Sequence, residues 1–240
     1  MERWTQRTEL LTGKTGLEQL QKSSVLIVGL GGVGGMAAEM ICRAGVGSMT
    51  IIDRDTVSLT NINRQIAALC STIDKQKSEV MAMRLKDINL NLQLTVISDW
   101  LDEKNTENIL DEGKFDFVVD AIDTLSPKVF LIKTCIEKEI RIVSSMGSGA
   151  KMDPAQIRIA DISTTNYCPL AKAVRQRLSK MGIKKGVPVV YSTESADKNS
   201  VISAEGEKYK KSTTGTISYM PALFGLHLAS YVIRELIKND

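Results

Sequence analysis

The residues with the clearest chemical potential are three glycines and one acid. Gly29, Gly31 and Gly34 have the spacing G-x-G-x-x-G, and Asp53 follows the next apolar run. The first glycine permits a tight turn, the second lets a phosphate approach the backbone, and Gly34 lets a helix pack closely. Free N–H groups at the start of that helix favour an anion, and the carboxylate of Asp53 can accept hydrogen bonds from ribose hydroxyls. The motif predicts a nucleotide site and leaves NAD, FAD, ATP and S-adenosylmethionine open.

A second set of polar residues lies after strand ends or at a helix start. Arg64 follows the second strand, Lys77 lies in the first turn of a predicted helix, and Asp123 follows a later strand. Two cations and a carboxylate beside the phosphates exceed what hydride transfer needs. They suit Mg-ATP, because the cations neutralise the phosphates and Asp123 can hold the metal. The predicted nucleotide site comprises Gly29, Gly31, Gly32, Gly34, Asp53, Asp55, Asn61, Arg64, Lys77, Asp120 and Asp123.

The elements that position these residues alternate between strands and helices. Apolar runs at 25–28, 49–52, 93–97, 115–119 and 140–144 read as strands, with helical spacing between them. This order predicts an α/β fold, a doubly wound, Rossmann-like and mainly parallel sheet with a C-terminal extension. We expect one domain over 1–240. N-terminal helices broken at Gly13 occupy 1–22, the nucleotide-binding core 23–150, and a substrate-facing part with a closing helix 151–240.

Composition and charge limit the classes of protein to which the chain can belong. The chain has 240 residues, 43% of them hydrophobic, and a formal net charge of +3, too mild to indicate nucleic acid by itself. None of its four cysteines lies in a C-x-x-C pair, so a tetrahedral zinc site has no support. Cys42 and Cys135 fall in apolar helical patterns and are predicted core residues, and His227 is predicted to be structural.

The location of the protein is predicted from its two ends. The N-terminus lacks the apolar core of a signal peptide, so a cytoplasmic location is expected. Residues 212–233 carry no charge but include proline, histidine and several hydroxyl side chains. A buried C-terminal helix is therefore favoured over a membrane span. Peripheral contact with the inner face of the membrane stays open.

The ordered motifs GLGGVG (29–34), DRDTV (53–57), NINRQ (61–65), Lys77 and DAID (120–123) resemble the adenylating core of the E1-like superfamily of the ThiF/MoeB/HesA type. The resemblance implies that a carboxylate attacks the α-phosphate of ATP, so that an acyl-adenylate forms and pyrophosphate leaves. It also implies that Asp53 holds the ribose and Asp123 holds magnesium. The implied phosphate ligands are Asn61, Arg64 and Lys77. Arg7 matches an arginine that this superfamily lends across a homodimer to the ATP of the partner subunit.

Motifs in the second half of the chain resemble one particular family within this superfamily. Motifs SPK (126–128), KMDPAQI (151–157), PLA (169–171) and YSTE (191–194) are similar to the family of tRNA threonylcarbamoyladenosine dehydratases. That resemblance implies a tRNA substrate whose threonylcarbamoyl carboxylate is activated, with ring closure and net loss of water. A sulfurtransferase-system partner stays open. Cys168 stands where the family has an acid before Pro-Leu, which leaves the role of this position in doubt, although ring closure needs no cysteine.

A run of basic residues fits such a substrate. A helix predicted at 169–181 and the segment after it carry cations that can neutralise tRNA phosphates. A solvated helix face is the equally weighted alternative. The candidate tRNA-binding residues are Arg175, Arg177, Lys180, Lys184 and Lys185.

Three rival functions remain. The first is adenylation of the C-terminal glycine of a ubiquitin-like sulfur-carrier protein, against which the absent C-x-x-C pairs count. The second is a non-enzymatic module that senses a nucleotide. A plain NAD oxidoreductase is the most distant of the three.

Overall fold

The computed structural model describes residues 3–203 and 212–238 and has the α/β architecture that the sequence predicts. Strands and helices alternate through the first 145 residues. The helices, in chain order, are α1 (Gln6–Lys22), α2 (Gly34–Ala44), α3 (Lys77–Ile88), α4 (Glu103–Gly113), α5 (Leu125–Glu137), α6 (Pro169–Lys180) and α7 (Tyr219–Leu236). The strands are β1 (Ser24–Val28), β2 (Ser48–Ile52), β3 (Gln93–Ile97), β4 (Phe117–Asp120), β5 (Ile142–Ser145), β6 (Ile157–Asp161), β7 (Pro188–Ser192), β8 (Val201–Ser203) and β9 (Ser212–Thr214).

Seven of the strands form one twisted sheet in the order β3-β2-β1-β4-β5-β7-β6. All neighbouring pairs are parallel except β6 and β7. Val28 pairs with Ile52 on one side and with Asp120 on the other, so three strands end at the same level. The strand order reverses between β1 and β4, and ligands of open α/β sheets bind outside the carboxyl ends at such a point. The fold therefore brings the glycine turn, Asp53 and the loop after β4 to one edge.

Apolar side chains fill the sheet on both faces. On one face, α2, α3 and α7 pack over the sheet, and on the other α4, α5 and α6 do so. The closing helix lies directly on the start of α2, where a Cβ at Gly225 would stand 2.4 Å from the carbonyl oxygen of Val33. Phe224, Leu228 and Val232 of α7 are buried, which confirms the prediction of a buried C-terminal helix. Of the helices in the described ranges, none has the length and apolarity to cross a membrane.

Local expectations were met in part. The break in α1 lies at Gly13, whose φ is +74°, as expected. The helix after β4 begins at Leu125, and Thr124 is its N-cap residue. The polar segment 192–214 also contains two short strands, because β8 and β9 pair in antiparallel fashion. Positions 204–211 of that segment lie outside the described residues.

Candidate nucleotide site

The glycine turn is shaped by close backbone contacts on two sides and is open on the third. Gly29 has φ +89°, and a Cβ there would stand 2.8 Å from the carbonyl oxygen of Ala121. A Cβ at Gly34 would lie 1.7 Å from the oxygen of Gly29, so no other residue fits. A Cβ at Gly31 would meet nothing nearer than Nε2 of Gln65, at 3.8 Å. The backbone at Gly31 is therefore open to a phosphate, as a nucleotide-binding turn requires.

Asp53 is tied to this turn by its own carboxylate. Its Oδ2 accepts a hydrogen bond from the backbone N–H of Leu30 at 2.6 Å, and its Oδ1 accepts one from the N–H of Asp55 at 2.8 Å. Burial raises the pKa of Asp53, and the charge of Lys77 opposes that rise. Each oxygen keeps a lone pair, so a ribose can still bind to a carboxylate whose orientation is fixed.

Asp55 and Lys77 form an ion pair beside Asp53. Lys77 Nζ lies 3.0 Å from Asp55 Oδ2, and the backbone N–H of Lys77 donates to the carbonyl oxygen of Asp55 at 2.9 Å. The lysine side chain is only 7% exposed, although it stands in the first turn of α3. Asp55 thus compensates a cation at the positive end of a helix, where a cation is disfavoured, and holds it near Asp53.

The segment 58–65 packs against the glycine turn. The carbonyl oxygen of Arg64 would lie 3.0 Å from a Cβ at Gly32. Arg64 Nη1 donates to the carbonyl oxygen of Thr60 and to Oδ1 of Asn63, both at 2.8 Å. Asn61 is buried, and its Oδ1 accepts from the N–H of Ser58 at 3.2 Å. Two predicted phosphate ligands are therefore held in one compact segment that touches the turn.

Asp120 must be removed from the predicted nucleotide ligands. Its side chain is completely buried, and its Oδ2 accepts from Lys128 Nζ at 2.7 Å and from Ser144 Oγ at 2.6 Å. Its Oδ1 accepts from the N–H of Ile122 at 3.0 Å. The carboxylate takes three hydrogen bonds from the protein and has no exposed surface, so it shapes the end of β4. The sequence analysis missed Lys128, whose position next to an apolar run on a helix was the available signal.

Asp123 stands at the surface of the loop that follows β4. Ala121, two residues earlier, is the residue against which Gly29 packs. Asp123 is thus two residues from a contact with the turn, and its strand β4 lies on the side of β1 opposite to β2, which Asp53 follows. Magnesium usually binds through one or two carboxylates together with substrate phosphates, so one acid here fits the group. Within 3–203 and 212–238 there is no cluster of three or more His, Cys, Asp or Glu that would hold a metal by protein groups alone.

Arg7 is separate from this site. It lies in the first turn of α1, and Thr5, two residues earlier, is 3.5 Å from where a Cβ of Gly45 would stand. Gly45 ends α2, whereas the glycine turn begins that helix. Eleven residues of helix span about 16 Å, so Thr5 and the phosphate cradle lie at opposite ends of α2.

The predicted tRNA-binding residues divide into two groups. Arg175 was predicted to face tRNA, but Nη1 donates inward to the carbonyl oxygen of Thr165 at 2.9 Å and to its Oγ1 at 2.6 Å. One nitrogen of that guanidinium is thus held by Thr165, while the side chain lines the same cavity as Lys180 and Lys184. Arg177 Nη1 donates to Ser126 Oγ at 2.8 Å, which joins α6 to the first turn of α5. Lys180, Lys184 and Lys185 are exposed, and the first two line a shallow cavity of about 680 Å³.

Lys151 is a buried cation that the sequence analysis did not single out. It is 4% exposed, and Nζ donates to the backbone oxygen of Glu194. No ion pair to Lys151 exists among the described residues, whereas the buried Lys77 and Lys128 each have an aspartate. Burial lowers the pKa of Lys151, with Cys168 and Glu194 acting in the opposite direction. Cys168 is itself buried, 3.7 Å from where a Cβ of Gly147 would stand.

We expect Lys151→Gln to raise the melting temperature at pH 7. The pKa of Lys151 is lower in the folded chain than in the unfolded chain, so the unfolded chain binds the lysine proton more tightly. At a pH below the folded-state pKa, the charged lysine therefore destabilises the fold. That cost falls as the pH rises toward the ordinary lysine value of 10.5. The amide can still donate to Glu194, and a gain of about 1 kcal/mol corresponds to about 2–4 °C. Calorimetry from pH 7 to 10.5 should show the gain shrinking, while the exposed Lys172→Gln shows no such trend. An undiminished gain would contradict the explanation.

Comparison with known proteins identifies similar chains. Residues 5–240 match the model of the ThiF family. The chain is 40% identical to the tRNA threonylcarbamoyladenosine dehydratase of Bacillus subtilis (strain 168), over 97% of this chain and 94% of that protein. It is 35% identical to the protein of that name from Escherichia coli (strain K12), over 98% and 94%.

Solved structures agree with the sequence comparison. The crystal structure of the E. coli tRNA N6-threonylcarbamoyladenosine dehydratase, TcdA, in complex with ATP has a TM-score of 0.87 and 34% sequence identity, over 96% of this chain and 92% of that chain. The sulfur carrier protein ThiS adenylyltransferase of E. coli is more distant, at 32% identity over 57% of this chain.

Proposed function

The chain belongs to the ThiF family, and from this premise we propose that it uses ATP to dehydrate N6-threonylcarbamoyladenosine in tRNA to a cyclic form. The observation that carries the proposal is the combination of an open phosphate cradle at Gly31 with near full-length similarity to dehydratases from two bacteria. The enzyme acts on a carboxylate by adenylation. This function differs from that of an NAD oxidoreductase, because no hydride is transferred.

Adenylation assigns a task to each residue of the site. We propose that Asp53 accepts from the ribose hydroxyls, while the backbone at Gly31 and the side chains of Arg64 and Lys77 donate to the phosphates. Donors that are already fixed stabilise the charge that develops at the α-phosphate. Asp53 is held by two backbone N–H groups and Lys77 by Asp55, so both are oriented before ATP arrives. Such preorganisation is the main contribution a protein can make to this step.

The reaction balances without an oxidant. A carboxylate oxygen of the threonyl group attacks the α-phosphorus of ATP, a C–O–P linkage forms, and the bond to pyrophosphate breaks. A nucleophile of the same threonylcarbamoyl group then attacks the activated carbonyl carbon, loses a proton, and expels AMP. The oxygen that would have left as water departs on AMP.

We propose that Asp123 holds magnesium together with phosphate oxygens of ATP. The support is its exposed carboxylate on the loop after β4, close to the glycine turn. Magnesium supplies charge neutralisation on the triphosphate. Titration of the protein–ATP complex with Mn²⁺ by electron paramagnetic resonance should give at least tenfold weaker binding for Asp123→Asn. Equal metal affinity in the two proteins would remove Asp123 from the metal site.

The test of the function uses one defined substrate. Purified protein is incubated with ATP, magnesium and tRNA that carries threonylcarbamoyladenosine. The tRNA is then digested to nucleosides, and their masses are measured by mass spectrometry. The modified nucleoside should lose the mass of one water, with AMP formed in equal amount. An unchanged nucleoside would refute the proposal. If a carrier protein with a C-terminal glycine is adenylated instead, the function belongs to the ThiS-adenylating type.

We further propose that the enzyme is a homodimer in which Arg7 acts on the ATP of the partner subunit. Two observations support this. Arg7 lies far from the glycine turn of its own chain, as the contact of Thr5 with Gly45 indicates. Leu10 and Leu11 of the same helix are 81% and 89% exposed, which leaves an apolar face next to Arg7. A second copy of this chain is the occupant that would bury that face.

Complementation between two inactive variants tests the shared site. Arg7→Ala and Arg64→Ala should each be inactive alone, because each removes a cation from every site. In mixed dimers, one of the two sites contains both arginines, so mixing after mild dissociation should restore up to about a quarter of the wild-type activity. That value assumes random exchange of subunits. A mixture that stays inactive although light scattering shows exchanged dimers would contradict the role of Arg7.

We propose that the exposed lysines at the end of α6 neutralise tRNA phosphates. The support is the cavity that Lys180 and Lys184 line, together with the contact of Arg177 to Ser126, which connects this surface to the loop of Asp123. Lys180→Ala/Lys184→Ala should weaken tRNA binding and reduce the slope of log K against log salt by about 1.5 to 2. Filter binding at several salt concentrations measures this. Lys104→Ala/Lys133→Ala on α4 and α5 is the control, and equal slopes in both variants would place tRNA elsewhere.

We also propose a cytoplasmic enzyme with a sulfurtransferase-system protein as an interaction partner. The support for the location is the nature of the substrates, because tRNA and ATP are both available there. Fractionation of cells that express the protein should give it in the supernatant after removal of membranes. Recovery with the membranes would favour peripheral attachment. Affinity capture that yields no sulfurtransferase would remove that partner.

A further inference from the structure

The loops that follow β2 and β3 leave the sheet side by side and carry a stacked pair of side chains. Ile52 pairs with Ile97 at the ends of these strands, and the N–H of Asp53 donates to the carbonyl oxygen of Ile97 at 3.2 Å. The guanidinium carbon of Arg54 lies 3.6 Å from the ring centroid of Trp100. A planar guanidinium over an indole face at this distance is a cation–π stack.

Neighbouring side chains hold both members of this pair in place. The N–H of Trp100 donates to Oδ1 of Asp99 at 2.6 Å, and the carbonyl oxygen of Trp100 accepts from Nδ2 of Asn105 at 2.5 Å. Arg54 Nε lies 3.8 Å from Oδ1 of Asp55. The Arg54 side chain remains 45% exposed. A flat cationic surface therefore faces solvent immediately beside the proposed ribose acid.

The order of the strands determines which part of a bound nucleotide would reach the stacked pair. The proposed phosphate cradle follows β1 and the proposed ribose acid follows β2, and β3 is the next strand in the same direction. A nucleotide that runs from Gly31 past Asp53 therefore directs its base toward the carboxyl end of β3. We infer that the Arg54–Trp100 stack is the wall on which the adenine ring of ATP lies. The inference rests on the proposed function, because it assumes that the nucleotide occupies the cradle in this direction.

The chemistry of the wall is suited to a purine. Adenine offers a large π face to the outer side of Arg54, and a guanidinium attracts the face of a base through a cation–π contact. A lysine at position 54 keeps the charge but has no planar group to stack. The wall therefore contributes affinity for the base, and the triphosphate does not depend on it.

Tryptophan fluorescence tests this wall. The chain has two tryptophans, so Trp4→Phe leaves Trp100 as the only reporter. In this background, ATP should change the emission of Trp100, and Arg54→Ala should weaken ATP binding by about 5- to 50-fold. Arg54→Lys should weaken it nearly as much. Inorganic tripolyphosphate, measured by calorimetry, should bind all three proteins equally.

Three results would overturn the inference. These are unchanged Trp100 emission at saturating ATP, wild-type ATP affinity in Arg54→Ala, and full affinity in Arg54→Lys. The last would mean that Arg54 acts through charge on the phosphates. Failure of the tRNA assay with normal ATP binding would refute the proposed dehydration and leave the wall intact, so the two proposals fail separately.

Discussion

Replacement of Arg64 by alanine is expected to lower the rate of ATP-dependent dehydration by about 100- to 1,000-fold, the usual effect of removing one fixed donor from a developing charge. The backbone of Arg64 touches the glycine turn at Gly32. Nη1 makes both of the hydrogen bonds given above, to Thr60 and Asn63. Among the described residues, Nε and Nη2 have no partner and are free to donate to a phosphate.

Stability should change little in this variant. The two bonds of Arg64 are local and reach only residues 60 and 63, so we expect a melting temperature within about 2 °C of the wild type. Single-turnover assays with modified tRNA measure the rate. Arg158→Ala is a matched control, because its Nη1 also donates to two nearby oxygens, here the carbonyl oxygens of Ala155 and Ile157, but on the edge strand β6. A rate equal to that of the control would remove Arg64 from the site.

Replacement of Lys128 by methionine is expected to reduce the free energy of unfolding by about 3–5 kcal/mol, the usual result of leaving a buried charge unpaired. Lys128 and Asp120 are both 0% exposed, with Nζ and Oδ2 2.7 Å apart. Lys128 also donates to Ser144 Oγ at 3.1 Å and to the carbonyl oxygen of Ser145 at 2.9 Å. One ammonium thus satisfies acceptors on β4 and β5 together.

The double variant separates charge from packing. Asp120→Asn/Lys128→Met removes both charges, so it should recover most of the loss. Lys133→Met on the same helix breaks a surface pair with Glu137 at 2.9 Å and a cation–π contact with Phe130 at 5.8 Å, and it should cost about 0.5–1 kcal/mol. Urea unfolding measures all three. If the single and double variants lose the same free energy, the buried charge is not the cause.

The parts of the predicted site that the structure brings together are those set by local backbone geometry. A turn that must accept a positive φ at Gly29 and a contact of 1.7 Å at Gly34 permits few residue types, so the motif is specific. Asp53 follows from the same logic, because it ends the neighbouring strand of one βαβ unit. The α/β fold could be predicted because strands and helices alternate along the chain.

The errors concern side chains whose direction depends on distant partners. Asp120 looked like a ligand because it ends a strand, and only the packing of α5 on β4 shows that it is buried against Lys128. Arg175 was expected to face tRNA because its neighbours on α6 are basic, and nothing in the sequence indicates that its Nη1 is held by Thr165, ten residues earlier. Lys151 gave no signal, because its burial arises from contacts across the end of β7. Periodicity identifies faces of an element but not these tertiary hydrogen bonds.

The central claim is that the pocket at the carboxyl edge of the sheet transfers AMP to a carboxylate. Transfer of a heavy-oxygen label tests it most directly. Modified tRNA labelled in both oxygens of the threonyl carboxylate is converted in one turnover, and the nucleotide products are analysed by mass spectrometry. The account predicts one labelled oxygen in AMP and unlabelled pyrophosphate. Formation of ADP with labelled inorganic phosphate, or of unlabelled AMP, would contradict it.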